Sequence, residues 1–356
     1  MNHNTLTLTP WHPVLVYENG KLVYKRADEL KEGDRIVVFA FPIDYGEYQK
    51  VDDITVDEEL AWLIGYILGD GFIDKDCVRI TDNKKEVLEY ARNIALKKGF
   101  NAGEILEKKN IYELYIYGKL HKILKKLDVI VGTNGREGGG KRYLKKVPEI
   151  IFKSSATVRA AFIAGIIDAE GFFVDSEHSK GKRQKWLCAN ILVNTSEELA
   201  KGVALLLDSL GIKCDLKKDM NPTKRGESPL FYISALQKWR VKRLLRFVAP
   251  YIISFKKDVL KKLLKETKNH GVIELNVYLV AFKIQKIAVE DYDGEMYDMT
   301  TEEYNNYWAN GFVAHNTWCA ACIAGWQEVD DVLSHMAKTT VICEGMAPRA
   351  YILAIK

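Results

Sequence analysis

The sequence lacks the features that mark membrane and secreted proteins. No apolar run reaches the roughly 18 residues that a membrane-spanning helix needs, and the opening MNHNTLTLTP does not show the charged-then-apolar pattern of a signal peptide. The six cysteines are dispersed rather than spaced as a disulfide framework, which favours reduced thiols. We therefore expect a cytoplasmic protein with no disulfide bonds and no membrane contact.

Charge is distributed unevenly along a chain that is long enough, at 356 residues and 47% apolar, to bury more than one core. Acidic residues crowd positions 27–59 and 290–303, whereas lysine and arginine dominate between Lys122 and Lys265. Such a basic block is usually only a solvated surface. It is also the pattern of a phosphate-binding domain inserted into another domain, and the two acidic flanks favour an insertion.

Two helix-length apolar stretches repeat at a shift of 100 positions, LAWLIGYILGDG (60–71) and AAFIAGIIDAEG (160–171). Small residues four apart in each, Gly65 and Gly69 in the first, would let the two helix backbones approach closely. Gly71 and Gly171 fit the left-handed position just past a helix end. The repeat predicts two helices packed on each other.

Each repeat ends in an acid, Asp70 or Glu170, in the last helical turn, where the helix dipole disfavours a carboxylate. Pairing the helices would add repulsion between the two acids. A divalent cation held between them removes both penalties, and oxygen ligands favour Mg²⁺, with Mn²⁺ as an alternative. The other interpretation, two core helices with exposed terminal acids, explains one copy better than it explains two.

A strand, helix, strand and helix pattern follows each acid, so that the chain contains two similar α/β halves. After Gly171 a longer strand-like ribbon has basic residues at its tip, and β-ribbons of this kind fit the major groove of DNA. The candidate DNA contacts are Lys180, Lys182, Arg183, Lys185, Lys224 and Arg225. Duplex DNA, itself pseudo-symmetric, is the predicted substrate.

The doubled motif, with LKKVPEIIF between its copies, resembles the single-chain LAGLIDADG homing endonucleases over residues 54–268. The resemblance implies that Asp70 and Glu170 bind the catalytic metal and that both strands of a long asymmetric site are cut. It also implies two active-site lysines, which best match Lys145 and Lys257. Lys146 and Lys256 adjoin them, and each assigned lysine could instead be a phosphate contact.

Residues 310–317, NGFVAHNT, suggest different chemistry. A side-chain amide can attack its own backbone carbonyl and cut the chain after asparagine if a neighbouring group handles the proton, and a following hydroxyl can receive an acyl group. His315, Asn316 and Thr317 have these capacities. The stretch resembles the C-terminal splice junction of an intein.

Two further stretches resemble inteins. LTLTPWHPVLV (6–16) contains a Thr-x-x-His pattern, Thr9 and His12, which in inteins polarises the N-terminal scissile bond, although such a pattern in a strand more often reflects packing. The segment 291–316 resembles the closing intein segment, with Asp298 at its aspartate position. The order of these pieces around the doubled motif makes the combination specific.

Two departures from the intein pattern are evident. The closing-segment histidine is replaced near Asn305 or Asn306, which would slow asparagine cyclisation or shift the proton work to His315. Inteins begin with cysteine or serine several tens of residues before their Thr-x-x-His, whereas neither residue occurs before Thr9. We expect that this chain cannot complete splicing alone; a truncation, a misplaced start or a split intein whose N-terminal fragment acts in trans would each explain this.

Residues 317–356 would then belong to the host protein. Thr317 opening a helix, with a strand TTVIC after it, suits a phosphate-binding loop. A zinc site of Cys319, Cys322, His335 and Cys343 lacks regular spacing, and thiols packed in a helix are a third interpretation.

The predicted fold is α+β: two pseudo-symmetric αββαββα halves form a DNA-binding saddle inserted in an all-β splicing (Hint) domain. The predicted segments are a partial splicing domain (1–50), the endonuclease (51–274, with halves at about 54–135 and 145–268), the closing splicing segment (275–316) and the host segment (317–356). We expect a monomeric Mg²⁺-dependent endonuclease with incomplete splicing chemistry. A LAGLIDADG protein that binds nucleic acid without cutting, resembling maturases or regulators, is the alternative, and a hedgehog-type autoprocessing domain is disfavoured because it lacks the asparagine step.

Overall fold

A computed structural model describes residues 5–43, 46–73, 76–109, 111–129, 144–177, 187–223, 226–292, 295–301, 306–309, 312–315, 339–346 and 349–355. The chain forms two compact units, of which unit 1 contains Met1–Phe41 and Asn269–Lys356 and unit 2 contains Pro42–Lys268. Unit 2 is therefore an insertion in the sequence of unit 1. Its first and last residues, Pro42 and Lys268, both lie before the predicted borders at residues 51 and 274.

The N-terminal part of unit 1 consists of short strands: β1 (Thr5–Leu8), β2 (Pro13–Glu18), β3 (Lys21–Arg26) and β4 (Arg35–Phe39). β2 and β3 form a hairpin whose two-residue tip, Asn19-Gly20, has positive φ angles of 50° and 82°. Asn-Gly is the preferred sequence for this type of turn, because both positions need a left-handed backbone. β2, the first strand of this hairpin, directly follows the candidate splicing residues Thr9 and His12.

The first half of unit 2 begins after a small hairpin, β5 (Gln49–Val51) and β6 (Ile54–Val56). Its elements are α1 (Glu58–Asp70), β7 (Gly71–Ile73), β8 (Cys77–Asp82), α2 (Lys85–Lys97), β9 (Asn101–Ala102), β10 (Leu106–Lys108), β11 (Ile111–Tyr117) and α3 (Lys119–Lys126). The strands pair antiparallel in the order β10-β11-β8-β7, and β9 pairs with β11.

The second half repeats this arrangement. Its elements are α4 (Glu149–Phe152), α5 (Ala156–Glu170), β12 (Phe172–Val174), β13 (Cys188–Asn194), α6 (Glu197–Ser209), β14 (Asp215–Thr223), β15 (Gly226–Ser234), α7 (Lys238–Arg243) and α8 (Lys256–Glu266). Its sheet has the order β14-β15-β13-β12, which is the order of the first half, strand for strand. The predicted pseudo-symmetric α+β architecture is confirmed.

The helices α1 and α5 start at side-chain caps and pack along each other. The Asp57 carboxylate accepts a hydrogen bond from the backbone N–H of Leu60 (3.0 Å), and Ser155 caps α5. A Cβ on Gly65 would clash with the carbonyl oxygen of Phe162, and one on Gly165 with that of Trp62. The glycines therefore allow the close backbone contact that their spacing predicts.

The expectation of left-handed glycines after the two helices is wrong. Gly71 has φ −74° and ψ 161°, and Gly171 has φ −69° and ψ 138°, so both are extended. A Cβ on either would instead strike the last turn of its own helix, at the carbonyl oxygen of Ile67 or Ile167. Glycine lets the chain turn directly from the helix into the following strand.

The C-terminal part of unit 1 is also built of strands. These are β16 (Val272–Glu274), β17 (Leu279–Asp291), β18 (Glu295–Thr301), β19 (Asn306–Ala309), β20 (Phe312–His315), β21 (Thr339–Met346) and β22 (Arg349–Ile355). The main sheet has the order β1-β22-β17-β4-β2-β20-β19, with β3 on β2 and β16 on β17, while β18 and β21 form a separate pair. In the described part of unit 1, the only helical element is a short 3₁₀ turn at Ala27–Glu29.

Within the described residues, no helix has both the length and the apolar character needed to cross a bilayer.

Candidate functional site

The ends of α1 and α5 bring two acids to one place in unit 2. Asp70 and Glu170 are the last residues of these helices, and the helix ends lie so close that a Cβ on Gly69 would clash with that of Ala169. The residues therefore meet at the negative ends of two helix dipoles. Among the described residues, Lys145 and Lys256 are the nearby positive charges that act on both carboxylates.

The surroundings raise the pKa of both acids. Burial raises the pKa of Glu170 to about 7, and the charge of Asp70 adds to the shift while Lys145 opposes it. The carboxylate of Asp70 reaches the surface, yet the protein packed around it still raises its pKa, against the nearby charges of Lys145 and Lys256. A site that disfavours its own negative charge in this way favours binding of a cation.

Lys145, one of the two lysines that the sequence predicted for the active site, lies beside the acids. It is 8% exposed, and its Nζ donates a hydrogen bond of 2.8 Å to the backbone oxygen of Gly69, one residue before Asp70. Burial lowers the pKa of Lys145, and the charges of Glu170 and Asp70 oppose that shift. This lysine is thus a buried cation at the end of α1.

In the second half, the geometric counterpart of Lys145 is Lys256 rather than Lys257. Lys256 Nζ donates to the backbone oxygens of Ile167 (2.7 Å) and Asp168 (2.8 Å) at the end of α5. Burial lowers the pKa of Lys256 to about 8. Because α8 begins at Lys256, its first residue points to α5, and Lys257 follows one position around the helix.

Asn194 and Ser196 are site residues that the sequence analysis missed. Asn194 Nδ2 donates to Glu170 Oε1 (2.9 Å), and Asn194 Oδ1 accepts from the backbone N–H of Ser196 (2.9 Å). The Ser196 hydroxyl then donates to the backbone oxygen of Lys145 (2.6 Å). This hydrogen-bonded chain links the acid of one helix to the lysine beside the other.

The first half places Asp82, another missed residue, where the second half has Asn194. Asp82 is the last residue of β8, and its carboxylate accepts hydrogen bonds from the Tyr66 hydroxyl and the backbone N–H of Lys84 (2.9 Å). Its charge contributes to the raised pKa of Asp70. Aligning RITDNKK (79–85) with ILVNTSE (191–197), at a shift of 112 rather than 100 positions because the segment after Gly171 is longer, would have placed Asp82 opposite Asn194.

The donor atoms at this site fit a hydrated, oxygen-liganded cation. Asp70 and Glu170 offer carboxylate oxygens, with Asp82 close to Asp70. Among the described residues, no three His, Cys, Asp or Glu side chains converge to form a complete cage. Mg²⁺ commonly binds through one or two carboxylates, retaining waters and taking oxygens from substrate phosphates, so two acids are sufficient for it.

None of the predicted DNA contacts is among the residues that the structure describes. Lys180, Lys182, Arg183 and Lys185 lie outside the described residues, as do Lys224 and Arg225. The backbone flanking the last two is described: Thr223 pairs with Gly226 across the β14–β15 hairpin.

In unit 1, the predicted splicing residues Thr9 and His12 lie in a tight, buried turn before β2. They are 1% and 2% exposed, and the backbone N–H of His12 donates to the Thr9 oxygen (3.2 Å). Within the described residues, the Thr9 hydroxyl is buried without a hydrogen-bond partner. A buried donor of this kind is costly to the fold, and it is typical of a group kept for a substrate.

The strand that ends at His315 lies next to this turn. β20 pairs with β2 through Val14 and Ala314, so the end of β20 and the start of β2 adjoin. Asn316 and Thr317 lie outside the described residues. Asp298 is on β18, paired with Ile342 of β21, in a sheet separate from β2 and β20.

The segment predicted to be host sequence contributes two strands to unit 1. β21 pairs with β18, and β22 lies between β1 and β17. Cys343 is on β21, whereas Cys319, Cys322 and His335 of the zinc interpretation lie outside the described residues.

Comparison with known families gives one match over most of the chain. The family described as Intein splicing domain matches residues 1–316 and ends at the predicted junction asparagine.

Two curated relatives each match this chain at 28% identity. A DNA polymerase of Thermococcus sp. (strain GE8) is 28% identical over 74% of this chain and 16% of its own length. The transcription initiation factor IIB of Methanocaldococcus jannaschii is 28% identical over 87% of this chain and 37% of its own length. The chain thus spans well under half the length of these relatives.

Among solved structures, that of I-DmoI in complex with DNA and Mn is 18% identical and covers 54% of this chain and 97% of its own, with a TM-score of 0.37.

Proposed function

Because the chain belongs to the intein splicing-domain family, we propose that unit 2 is a homing endonuclease that cuts both strands of duplex DNA. The observation that supports this most directly is the site at the ends of α1 and α5, where Asp70 and Glu170 lie beside the buried Lys145 and the half-buried Lys256. The solved structure of I-DmoI is a complex with DNA and Mn, and duplex DNA with a divalent cation is proposed here for this chain.

Asp70 and Glu170 would hold Mg²⁺, or Mn²⁺ in its place. When bound, such an ion stabilises negative charge on phosphate oxygens and lowers the pKa of a bound water. The residues of the chain set the conditions for this: the raised pKa values of the two acids indicate that they lack a full counter-charge, and Asn194 orients Glu170 through its Nδ2 hydrogen bond.

Lys145 and Lys256 supply positive charge at the two ends of the site. Each is anchored to backbone oxygens at a helix end, so its ammonium group is fixed rather than mobile. A fixed cation in a partly buried site stabilises charge that develops on a scissile phosphate or leaving oxygen. Because the halves are pseudo-symmetric and DNA strands are antiparallel, each half would serve one strand.

The endonuclease proposal is testable with a plasmid library. One half of each insert is fixed as the codons from Thr317 onward, since homing sites flank the insertion point, and the other half is randomised. We expect linear product in Mg²⁺ from the unmodified protein, and Asp70→Asn should abolish it. Binding of selected DNA with no cutting in Mg²⁺ or Mn²⁺ would instead support the silent nucleic-acid-binding alternative.

The two candidate lysines in the second half form a matched pair for the same assay. Lys256→Met should slow cleavage strongly, because it removes the cation fixed at the end of α5. Lys257→Met is the control and should reduce cleavage only through weaker DNA binding. The opposite ranking would return the assignment to Lys257.

For unit 1, the proposal is cleavage of the peptide bond after Asn316 by asparagine cyclisation. Thr9 and His12 adjoin the strand that leads to this bond. For Asp298 and Thr317 the proposed roles are those predicted from the sequence. Intact-mass measurement after incubation should show a fragment ending at Asn316 and a second beginning at Thr317. Asn316→Ala is the control and should keep the full mass; a full mass in both would reject the cleavage.

These proposals also suggest an oligomeric state, a cellular location and a partner. We propose a monomer that acts in the cytoplasm, where its DNA substrate is accessible, with an N-terminal intein fragment in trans as the partner for complete splicing.

A further inference from the structure

Asp168, two residues before Glu170, is a buried acid whose position the nuclease chemistry does not explain. It is 4% exposed, and its carboxylate accepts three hydrogen bonds. The donors are the indole Nε1 of Trp62 on α1 (2.8 Å) and the backbone N–H groups of Ile253 (2.9 Å) and Ser254 (3.1 Å). One carboxylate thus joins α1, α5 and the turn that precedes α8.

The turn held by Asp168 leads directly into Lys256. The backbone N–H of Lys256 contacts the Ser254 hydroxyl (3.4 Å), and its Nζ donates back to the main-chain oxygens of Ile167 and Asp168. The chain therefore closes a small loop: α5 fixes the turn through a side chain, and the turn returns a lysine to the end of α5. Movement of the turn would move the ammonium group with it.

Among its described residues, the first half of unit 2 has no carboxylate equivalent to that of Asp168. The residue 100 positions before Asp168 is Leu68, which is fully buried among apolar side chains. Lys145 is instead held through its Nζ contact with Gly69 and through the Ser196 hydroxyl on its backbone oxygen. The two lysines are thus anchored by different means, which makes the halves separable by mutation.

The charges around Lys256 agree with this arrangement. Burial lowers the pKa of this lysine, and Asp168 is the strongest of the nearby acids that oppose the shift, ahead of Asp70 and Asp82. Lys84, whose ammonium lies over the Phe255 ring at 3.7 Å, acts in the opposite direction.

We infer that Asp168 is a positioning residue that fixes Lys256 at its half of the site, so that loss of the carboxylate slows the cutting of one DNA strand selectively. The inference rests on the proposed endonuclease function. A misplacement of a reacting group by about 1 Å can cost roughly a hundredfold in rate, so a loosened turn is enough to produce a large effect.

A double-mutant cycle on DNA labelled separately on each strand tests the inference. Asp168→Asn should slow cutting of one strand by roughly ten- to a hundredfold, with DNA affinity unchanged, and Lys256→Met should slow the same strand. The double variant should be no slower than Lys256→Met, because both changes remove one function. Equal slowing of the two strands, or independent losses in the double variant, would overturn the inference.

Trp62→Phe is the matched control. It removes one hydrogen bond to Asp168 but leaves the two that hold the turn, so cutting of the two strands should stay balanced. Selective slowing in Trp62→Phe that equals that of Asp168→Asn would show that the turn is not the element that matters.

Hydrogen exchange supplies a measurement that needs neither DNA nor metal. The backbone amides of Ile253 and Ser254 should exchange faster by about tenfold or more in Asp168→Asn, because hydrogen bonds to a charged acceptor are lost. Amides in α1 should not change, which also shows that the variant is folded. Unchanged exchange at Ile253 and Ser254 would overturn the positioning role, whereas altered exchange in a chain that cuts no DNA would reject only the proposed nuclease.

Discussion

Glu170 costs the metal-free protein stability at neutral and higher pH. Its pKa is about 7 in the folded chain, against an ordinary value of 4.5, so the folded state holds a proton that the unfolded state has lost. Stability should therefore fall as pH rises through this window. Glu170→Gln removes the titration and should raise the free energy of unfolding by on the order of 2 kcal/mol at pH 8.

The measurement is urea unfolding in a chelating buffer at pH 5 and pH 8. The Gln side chain can still accept the Asn194 hydrogen bond, so packing is preserved and the two proteins should converge at pH 5. Glu197→Gln is a control on an exposed acid whose pKa is lowered by Lys201 rather than raised by burial. A difference that is the same at both pH values would show that the pKa of Glu170 does not govern it.

Thr9 is a second residue whose buried position lowers the stability of the fold. Its hydroxyl is buried with no hydrogen-bond partner among the described residues, and the residue as a whole is 1% exposed. Thr9→Val replaces the hydroxyl by a methyl group of similar size and should stabilise the protein by about 1 kcal/mol. Thermal unfolding measures this change, and Thr7→Val on the exposed side of β1 should have little effect. A destabilised Thr9→Val protein would mean that the hydroxyl has a partner in the folded chain.

The sequence identified some residues of the candidate site and could not identify others. Asp70, Glu170 and Lys145 were recognisable because a helix end and a short motif fix their places. Lys256 and Lys257 are adjacent and chemically equal, and only the geometry of the turn before α8 distinguishes them. Asn194 is separated from Glu170 by 24 positions, so its contact depends on sheet pairing.

At the scale of elements, the close contact of α1 with α5 determines whether the two acids meet. Gly165→Ala would place a methyl group against the carbonyl oxygen of Trp62, which is helix backbone and cannot move alone. The helices would have to separate, costing about 3 kcal/mol and misaligning Asp70 and Glu170. We expect a lower unfolding temperature together with lost cleavage.

Gly103→Ala provides the comparison for that variant. A Cβ there would meet the Tyr115 oxygen at 3.6 Å, an ordinary contact, so stability and cleavage should both be retained. Normal stability in Gly165→Ala would show that the helix pair has room that the structure does not reveal.

The elements themselves were largely predictable. Binary patterning and a repeat of 100 positions give two copies of one α/β unit, and the paired sheets confirm this. The prediction that Gly71 and Gly171 are left-handed was wrong. The sequence shows that glycine is needed at these positions, but not whether its φ angle or close packing requires it. Long-range pairing such as that of β1 with β22 has no local signal at all.

At the scale of the whole molecule, the segment beyond Asn316 is part of the sheet of unit 1. Seven residues of β22 pair with β17 on one side, and four pair with β1 on the other. Among the described strands, β22 is the only one that pairs with β1, which leads directly to Thr9. The tail should therefore remain bound after the chain is cut, because backbone pairing on both edges does not depend on the covalent link.

A protease site inserted between residues 325 and 326 tests whether the tail stays bound, independently of any self-cleavage. After proteolysis, residues 326–356 should elute with the rest of the chain in size exclusion. Leu353→Pro removes a backbone N–H from a strand paired on both sides, so its tail should dissociate, whereas Leu353→Val should behave like the unmodified protein. A tail that leaves the unmodified protein at once would show that β22 does not hold β1. The turn at Thr9 would then have to be maintained without β1, for example by the hydrogen bonds that the backbone N–H groups of Ala27 and Asp28 donate to His12 (3.0 Å) and Pro10 (2.8 Å).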